Sequence, residues 1–135
     1  MATTTATIAL SSELIDGGIS ASNTAILNTA GTDTGMNTLT SVSKVLSSTN
    51  QVDLITTASV STTHAYVYIN NPNTDHTTYF NVTIGNAGAG TATDTEELGK
   101  LYAGDWMFIP WDADDDICVT PSTADDMSVE YMVFS

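Results

Sequence analysis

The densest chemistry in this chain is Asp112-Ala113-Asp114-Asp115-Asp116, where four of five consecutive side chains are carboxylates. Carboxylates on one loop offer the hard oxygens that Ca²⁺ selects. The EF-hand pattern fails, because Ile117 stands where the loop needs glycine and Thr123 where it needs glutamate. Asp112, Asp114 and Asp116 are therefore kept as the candidate metal ligands within what reads as a solvated acidic turn. No cofactor is expected. Asp125-Asp126 forms a second acidic turn, expected at the same end of the molecule. The two histidines, His64 and His76, have no cysteine or carboxylate at ligand spacing, which argues against zinc. Cys118 is the single cysteine and lies between Ile117 and Val119, the setting of a buried, inert thiol.

Catalytic signatures are missing from the sequence. There is no Gly-x-Ser-x-Gly elbow, no phosphate-binding glycine loop and no His-Glu-x-x-His. Paired acids for glycoside hydrolysis need a substrate cleft, and 135 residues leave little room for one. The expectation is that the chain is not an enzyme. Tyr66, Tyr68, Tyr79, Trp106 and Trp111 fit either a sugar-stacking platform or ordinary core and interface packing.

Charge excludes more. Lys44 and Lys100 are the only cationic side chains apart from histidine, there is no arginine, and sixteen acids bring the formal net charge to −14. Binding nucleic acid requires lysine or arginine to neutralise phosphates, so nucleic acid is not an expected partner. The same argument excludes anionic membranes. A heavily acidic surface keeps copies soluble, and salty or marine water screens its self-repulsion. No apolar run approaches the ~18 residues of a membrane helix. The first residues, Met1-Ala2-Thr3-Thr4-Thr5, lack the charged and apolar regions of a signal peptide, so synthesis and retention in a cytoplasm are expected. The sequon Asn81-Val82-Thr83 falls in a strand pattern and is read as chance.

The elements that must position these residues are strands. One domain over 1–135 is expected, an antiparallel all-β sandwich or jelly roll with about eight to ten short strands. Residues 1–59 are Ser/Thr-rich and weakly patterned, which suits an arm or edge region. Within them, Thr5–Leu10, Ala25–Leu27 and Thr38–Leu46 read as strands, with a bulge or bend near Ser41. Gln51–Thr56 reads as a short strand or one helical turn. Ala65, Val67 and Ile69 alternate with Tyr66 and Tyr68, and Phe80, Val82 and Ile84 alternate with polar residues, so these two segments read as an antiparallel hairpin. Gly85–Thr95 is glycine-rich and reads as an exposed loop, either slack or a contact arm. Trp106 and Phe108 share one face of the next strand, and Met107 and Ile109 the other. The last strand has an outer face that begins polar and ends with Met132 and Phe134. Trp106, Phe108, Met107, Ile109, Met132 and Phe134 are the candidate interface residues, with cover by the N-terminal half as the alternative for the last strand.

The segment Leu98-Gly99-Lys100-Leu101-Tyr102-Ala103-Gly104-Asp105-Trp106-Met107-Phe108-Ile109-Pro110-Trp111, with Val129-Glu130-Tyr131-Met132-Val133-Phe134, resembles small virion structural proteins of marine tailed phages, especially cyanophage-like ones. Tyr66-Val67-Tyr68-Ile69-Asn70-Asn71 and Phe80-Asn81-Val82-Thr83-Ile84 resemble the same proteins. The resemblance covers roughly residues 60–135 and is a packing pattern without catalytic residues. It implies a particle component present in many copies. Fourteen net negative charges would be repelled by packaged DNA, which favours an outward position. The expectation is a capsid decoration (cement) protein on the outer surface of the virion, made in the host cytoplasm. Its expected partners are the major capsid protein and itself, as a homo-oligomer. A tail or fibre component and a carbohydrate-binding module are the alternatives.

Overall fold

A computed structural model describes residues 4–12, 19–29, 31–60, 63–85 and 95–135. The chain forms two compact units, 1–37 and 38–135. The Ser/Thr-rich stretch 1–59 divides between them. Most of the Gly85–Thr95 loop and the Asp16-Gly17-Gly18 turn signal lie outside the described residues.

The larger unit is a sandwich of eight antiparallel strands: β3 (Leu39–Leu46), β4 (Val52–Ile55), β5 (Ala65–Asn70), β6 (Tyr79–Ile84), β7 (Glu96–Tyr102), β8 (Trp106–Trp111), β9 (Ile117–Pro121) and β10 (Met127–Phe134). One sheet has the order β3-β10-β5-β8 and the other β4-β9-β6-β7. First pairs with last, second with second-last, and so inward to β6 and β7. This is one long antiparallel hairpin rolled up, the two-Greek-key jelly roll. The all-β sandwich expected from the alternation is therefore the fold.

Side chains at every second position close the core. Ala65, Val67 and Ile69 of β5 are wholly buried, as are Phe80 and Val82 of β6, Ile117 and Val119 of β9 and Val129 of β10. They form one cluster with Leu54, Ile55, Leu101, Trp111, Met127, Tyr131 and Val133. Burial pushes the Tyr131 phenol above its ordinary range, and the Lys44 ammonium lies 5.7 Å from the centre of its ring. Trp111 belongs to the core rather than to any platform, and its indole N–H donates to the Asp115 carbonyl at 2.8 Å. Cys118 is buried, and its single S–H has two acceptors in reach, Asp53 Oδ1 and the Gly85 carbonyl, each 3.4 Å from Sγ.

Three expectations change and one open alternative is settled. β5 and β6 are not a hairpin: they belong to different sheets, and the Asn71–Thr78 segment crosses between them. Alternation shows which face of a strand is buried but not which strand lies beside it. β3 pairs with β10 without a register break from Leu39 to Leu46, so there is no bulge at Ser41. The irregularities fall instead in β4, between Asp53 and Ile55, and opposite Val82/Thr83, where Gly99 takes φ +155°. Gln51–Thr56 contains a strand, β4, followed by a 3₁₀ turn at Thr57–Ser59. Finally, the two acidic turns precede and follow β9 and therefore lie at its opposite ends.

The smaller unit contains the hairpin of β1 (Thr5–Ser12) and β2 (Ile19–Ile26), in unbroken antiparallel register. The Thr7 and Thr24 hydroxyls meet at 2.7 Å across it. Beyond β2, Leu27 and Met36 are buried, the Leu27 N–H donates to the Thr4 carbonyl, and the Met36 N–H donates to the Leu27 carbonyl.

A core substitution and a surface one should separate cleanly. Phe80→Ala leaves a cavity in a packed interior and is expected to cost about 3–5 kcal/mol in denaturant unfolding. Leu39→Ala, at an exposed position of the same sandwich, should stay within about 0.5 kcal/mol.

Candidate functional site: an aromatic sheet face

The outward positions of the β3-β10-β5-β8 sheet form three rows across it. Registration places Leu39, Phe134, Tyr66 and Pro110 in one row, and Ser41, Met132, Tyr68 and Phe108 in the next. Ser43, Glu130, Asn70 and Trp106 make the third. The rings pack laterally rather than inward. Tyr66 stacks on Phe108 with centroids 5.6 Å apart, Phe108 meets Phe134 edge-on at 6.4 Å, and Tyr68 lies 6.0 Å from Trp106. His64 adds an edge contact to Tyr66 at 5.1 Å. Aromatic pairs at such spacings gain about 0.5–1.5 kcal/mol beyond area burial, so the rings stabilise one another's placement on the face.

Much of this apolar surface is open. Leu39 is 57% exposed, Trp106 49% and Met132 36%. Glu130 is the one carboxylate in these rows, no lysine points outward there, and its Oε2 accepts a hydrogen bond from Asn70 Nδ2 at 3.1 Å. A shallow depression of about 220 Å³ lies beside Glu130, lined by Ser41, Ser43, Tyr68 and Met132 among others.

Of the six interface candidates, Trp106, Phe108, Met132 and Phe134 are brought together on this face. Met107 and Ile109 point the other way and pack against the core. Tyr66 and Tyr68 join the four, while Tyr79 lies on the other sheet, 5.2 Å from Tyr102 and under the Lys100 ammonium. Sequence reasoning missed Leu39. Its alternation with Val42 and Leu46 was the available signal, but Ser/Thr-rich surroundings masked it.

The opposite sheet presents polar chemistry. Gln51 Nε2 donates to Thr83 Oγ1 at 2.7 Å, and Asn81 Nδ2 donates to Glu97 Oε2 at 3.2 Å. The two outer faces are therefore chemically distinct.

A buried asparagine sets the end of the aromatic face. Asn71, wholly buried, follows β5, and its Nδ2 donates to the Leu101 carbonyl at 2.9 Å. Its N–H donates to the Asp105 carbonyl and its carbonyl accepts from the Gly104 N–H. Its Oδ1 accepts from both nitrogens of Asn73, and Asn73 in turn bonds the backbone of Ser128 in β10 through both amide atoms. The β7–β8 turn that delivers Trp106 is thereby fixed to β5. Gly104 takes φ +85°, and the Asp105 N–H closes the turn on the Tyr102 carbonyl at 2.9 Å. That is the backbone of a type II turn, which needs glycine at its third position. Farther along the crossing segment, hydrogen bonds from the Thr77 hydroxyl and N–H hold the Asp75 carboxyl below the usual range.

The candidate metal ligands are engaged separately. Asp116 Oδ1 accepts the Thr57 N–H at 2.7 Å, and Asp112 Oδ1 accepts the Asp114 N–H at 3.3 Å. Among the described residues no three metal-ligating side chains gather. His64 and His76 lie beyond opposite ends of β5.

No known protein family, no curated protein and no solved structure matches this chain.

Asn71→Leu keeps the volume but removes the partners of the Leu101 carbonyl and the Asn73 N–H. The expected loss is about 1–3 kcal/mol for each group left buried and unpaired, read from denaturant unfolding. For the acidic turn, a specifically bound cation at 100 times its Kd would add about 2.7 kcal/mol. We expect no such gain: the Tm with millimolar CaCl2 should match that with chelator.

Proposed function

We propose that this chain is a capsid decoration (cement) protein, a non-enzymatic component of a tailed-phage virion. It docks on the outer surface of the head, with the major capsid protein as its partner. The observation that carries this reading is the open aromatic face on an otherwise acidic sandwich. A surface of Trp106, Tyr68, Phe108, Met132, Phe134 and Leu39 has the composition of an interface centre: aromatic residues and methionine are enriched there and charge is depleted. Burying it across capsomers would stabilise a shell by the hydrophobic effect. The acids elsewhere suit a position facing solvent, away from packaged DNA. The resemblance of residues 60–135 to phage virion proteins points the same way. Jelly rolls serve capsid and lectin domains alike, so the fold by itself favours neither.

One observation favours a second reading, a carbohydrate-binding module. Trp106 offers an open ring near Tyr68, with the Asn70 amide and Glu130 carboxylate in the same row. A stacking ring beside polar groups is how sugars are held.

Co-sedimentation with phage heads depleted of the protein tests the proposal. Saturable binding at a fixed copy number per capsomer is expected, and Phe108→Asp should weaken it by about a hundredfold, equivalent to ~2.7 kcal/mol. Absence of binding to heads, with the protein in tail fractions as a stable trimer, would move it to the tail or fibre class. Quenching of tryptophan fluorescence by host glycans, without head binding, would establish the second reading instead.

A further inference from the structure

We infer that the β1–β2 hairpin is a self-association element, through which copies of this chain join hairpin to hairpin. The inference does not rest on the decoration reading, which concerns a different surface.

Three observations carry it. The hairpin is a sheet of two strands, each pairing only with the other among the described residues. Two-stranded sheets are marginal in water, and stability comes with further strands or with packing of an apolar face. Second, the face shared by Ala6, Ile8, Leu10, Ala21, Asn23 and Ala25 is apolar but for one amide, with the Ser12 hydroxyl at its end. It is also open: Leu10 is 63% exposed and Ile8 38%. Small alanines flanking Ile8 and Leu10 allow two such faces to approach closely.

The third observation identifies the occupant. Thirteen of the sixteen acids and both lysines lie in residues 38–135, and β1 and β2 contain no ionisable side chain at all. Two copies of a chain with net charge −14 repel each other over most of their surface. The sixteen strand residues of the hairpin carry none of that charge, and only Glu13 and Asp16 stand in the sequence between them. Its edges also lack the lysines, prolines and inward charges that ordinarily keep exposed strands apart. A cationic partner would find nothing to pair with there, whereas a second neutral, apolar hairpin fits without desolvating a charge.

The test is sedimentation velocity on the full-length chain at tens of micromolar. The wild type should sediment as a multiple of 14.2 kDa. The Ile8→Asp/Leu10→Asp double variant should fall to the monomer mass, with the β-sheet circular dichroism and unfolding midpoint of the sandwich retained. Leu10→Ile should keep the oligomer. Trp106→Asp, on the sandwich, should keep it too. Raising salt from about 0.01 M to 0.15 M shortens the screening length from ~30 to ~8 Å, so association should strengthen. A monomeric wild type overturns the inference. So does an oligomer that survives Ile8→Asp/Leu10→Asp, one that dissolves in Trp106→Asp, or one that weakens as salt is added.

Discussion

The geometry of the sandwich depends on one buried amide. Where the chain leaves β5 for the opposite sheet, backbone polar groups enter the interior and need partners. Asn71 supplies them, holding the carbonyl of Leu101 and both backbone groups of the Gly104-Asp105 turn side. Asn73 extends the same network to β10. Three strands from two sheets are thus locked by two asparagine side chains, one on each side of Pro72. A hydrophobic core alone fixes which faces meet, but it tolerates sliding. Directional bonds at the crossing remove that freedom, and they place Trp106 beside Asn70 as a result.

With the frame fixed, the two outer faces diverge. One sheet carries Tyr66, Tyr68, Trp106, Phe108 and Phe134 outward, and the other carries amides, hydroxyls and charges beside a single Tyr79–Tyr102 pair. Among the described residues, Asp112, Asp114, Asp115, Asp116, Asp125 and Asp126 stand in the turns on either side of β9, while Glu130 stands within β10. The apolar exceptions, the aromatic face and the first hairpin, are then conspicuous. Random exposure of single apolar residues is ordinary, whereas contiguous apolar rows with mutual ring contacts are the kind of patch that marks interaction sites in general.

Much of this was legible from alternation. The buried parity of β5, β6 and β10 followed from Val, Ile and Phe recurring at every second residue. So did the opposite orientations of Trp106/Phe108 and Met107/Ile109. Pairing partners were not legible. Nothing in the alternation of β5 and β6 distinguishes a hairpin from a crossing, because both require only that one face be apolar. The Asn71-Pro72-Asn73 segment read as turn chemistry, but its burial depends on Leu101 and Ser128, which lie 30 and 55 residues away from their partners. The acidic run was visible as composition. That Asp116 caps the 3₁₀ turn at Thr57 while Asp112 bonds its own loop is a matter of tertiary placement.

The nested pairing also governs how the protein comes into being. β10, the last strand in sequence, lies inside its sheet, hydrogen-bonded to β3 on one side and β5 on the other. Until it emerges from the ribosome, β3 and β5 have no common neighbour, and the aromatic face exists only as disconnected fragments. Contacts this distant in sequence pay their loop-closure entropy before they return any stabilisation, a topology associated with folding in milliseconds to seconds. Throughout that interval the edges of β3 and β5 that will flank β10 remain unpaired.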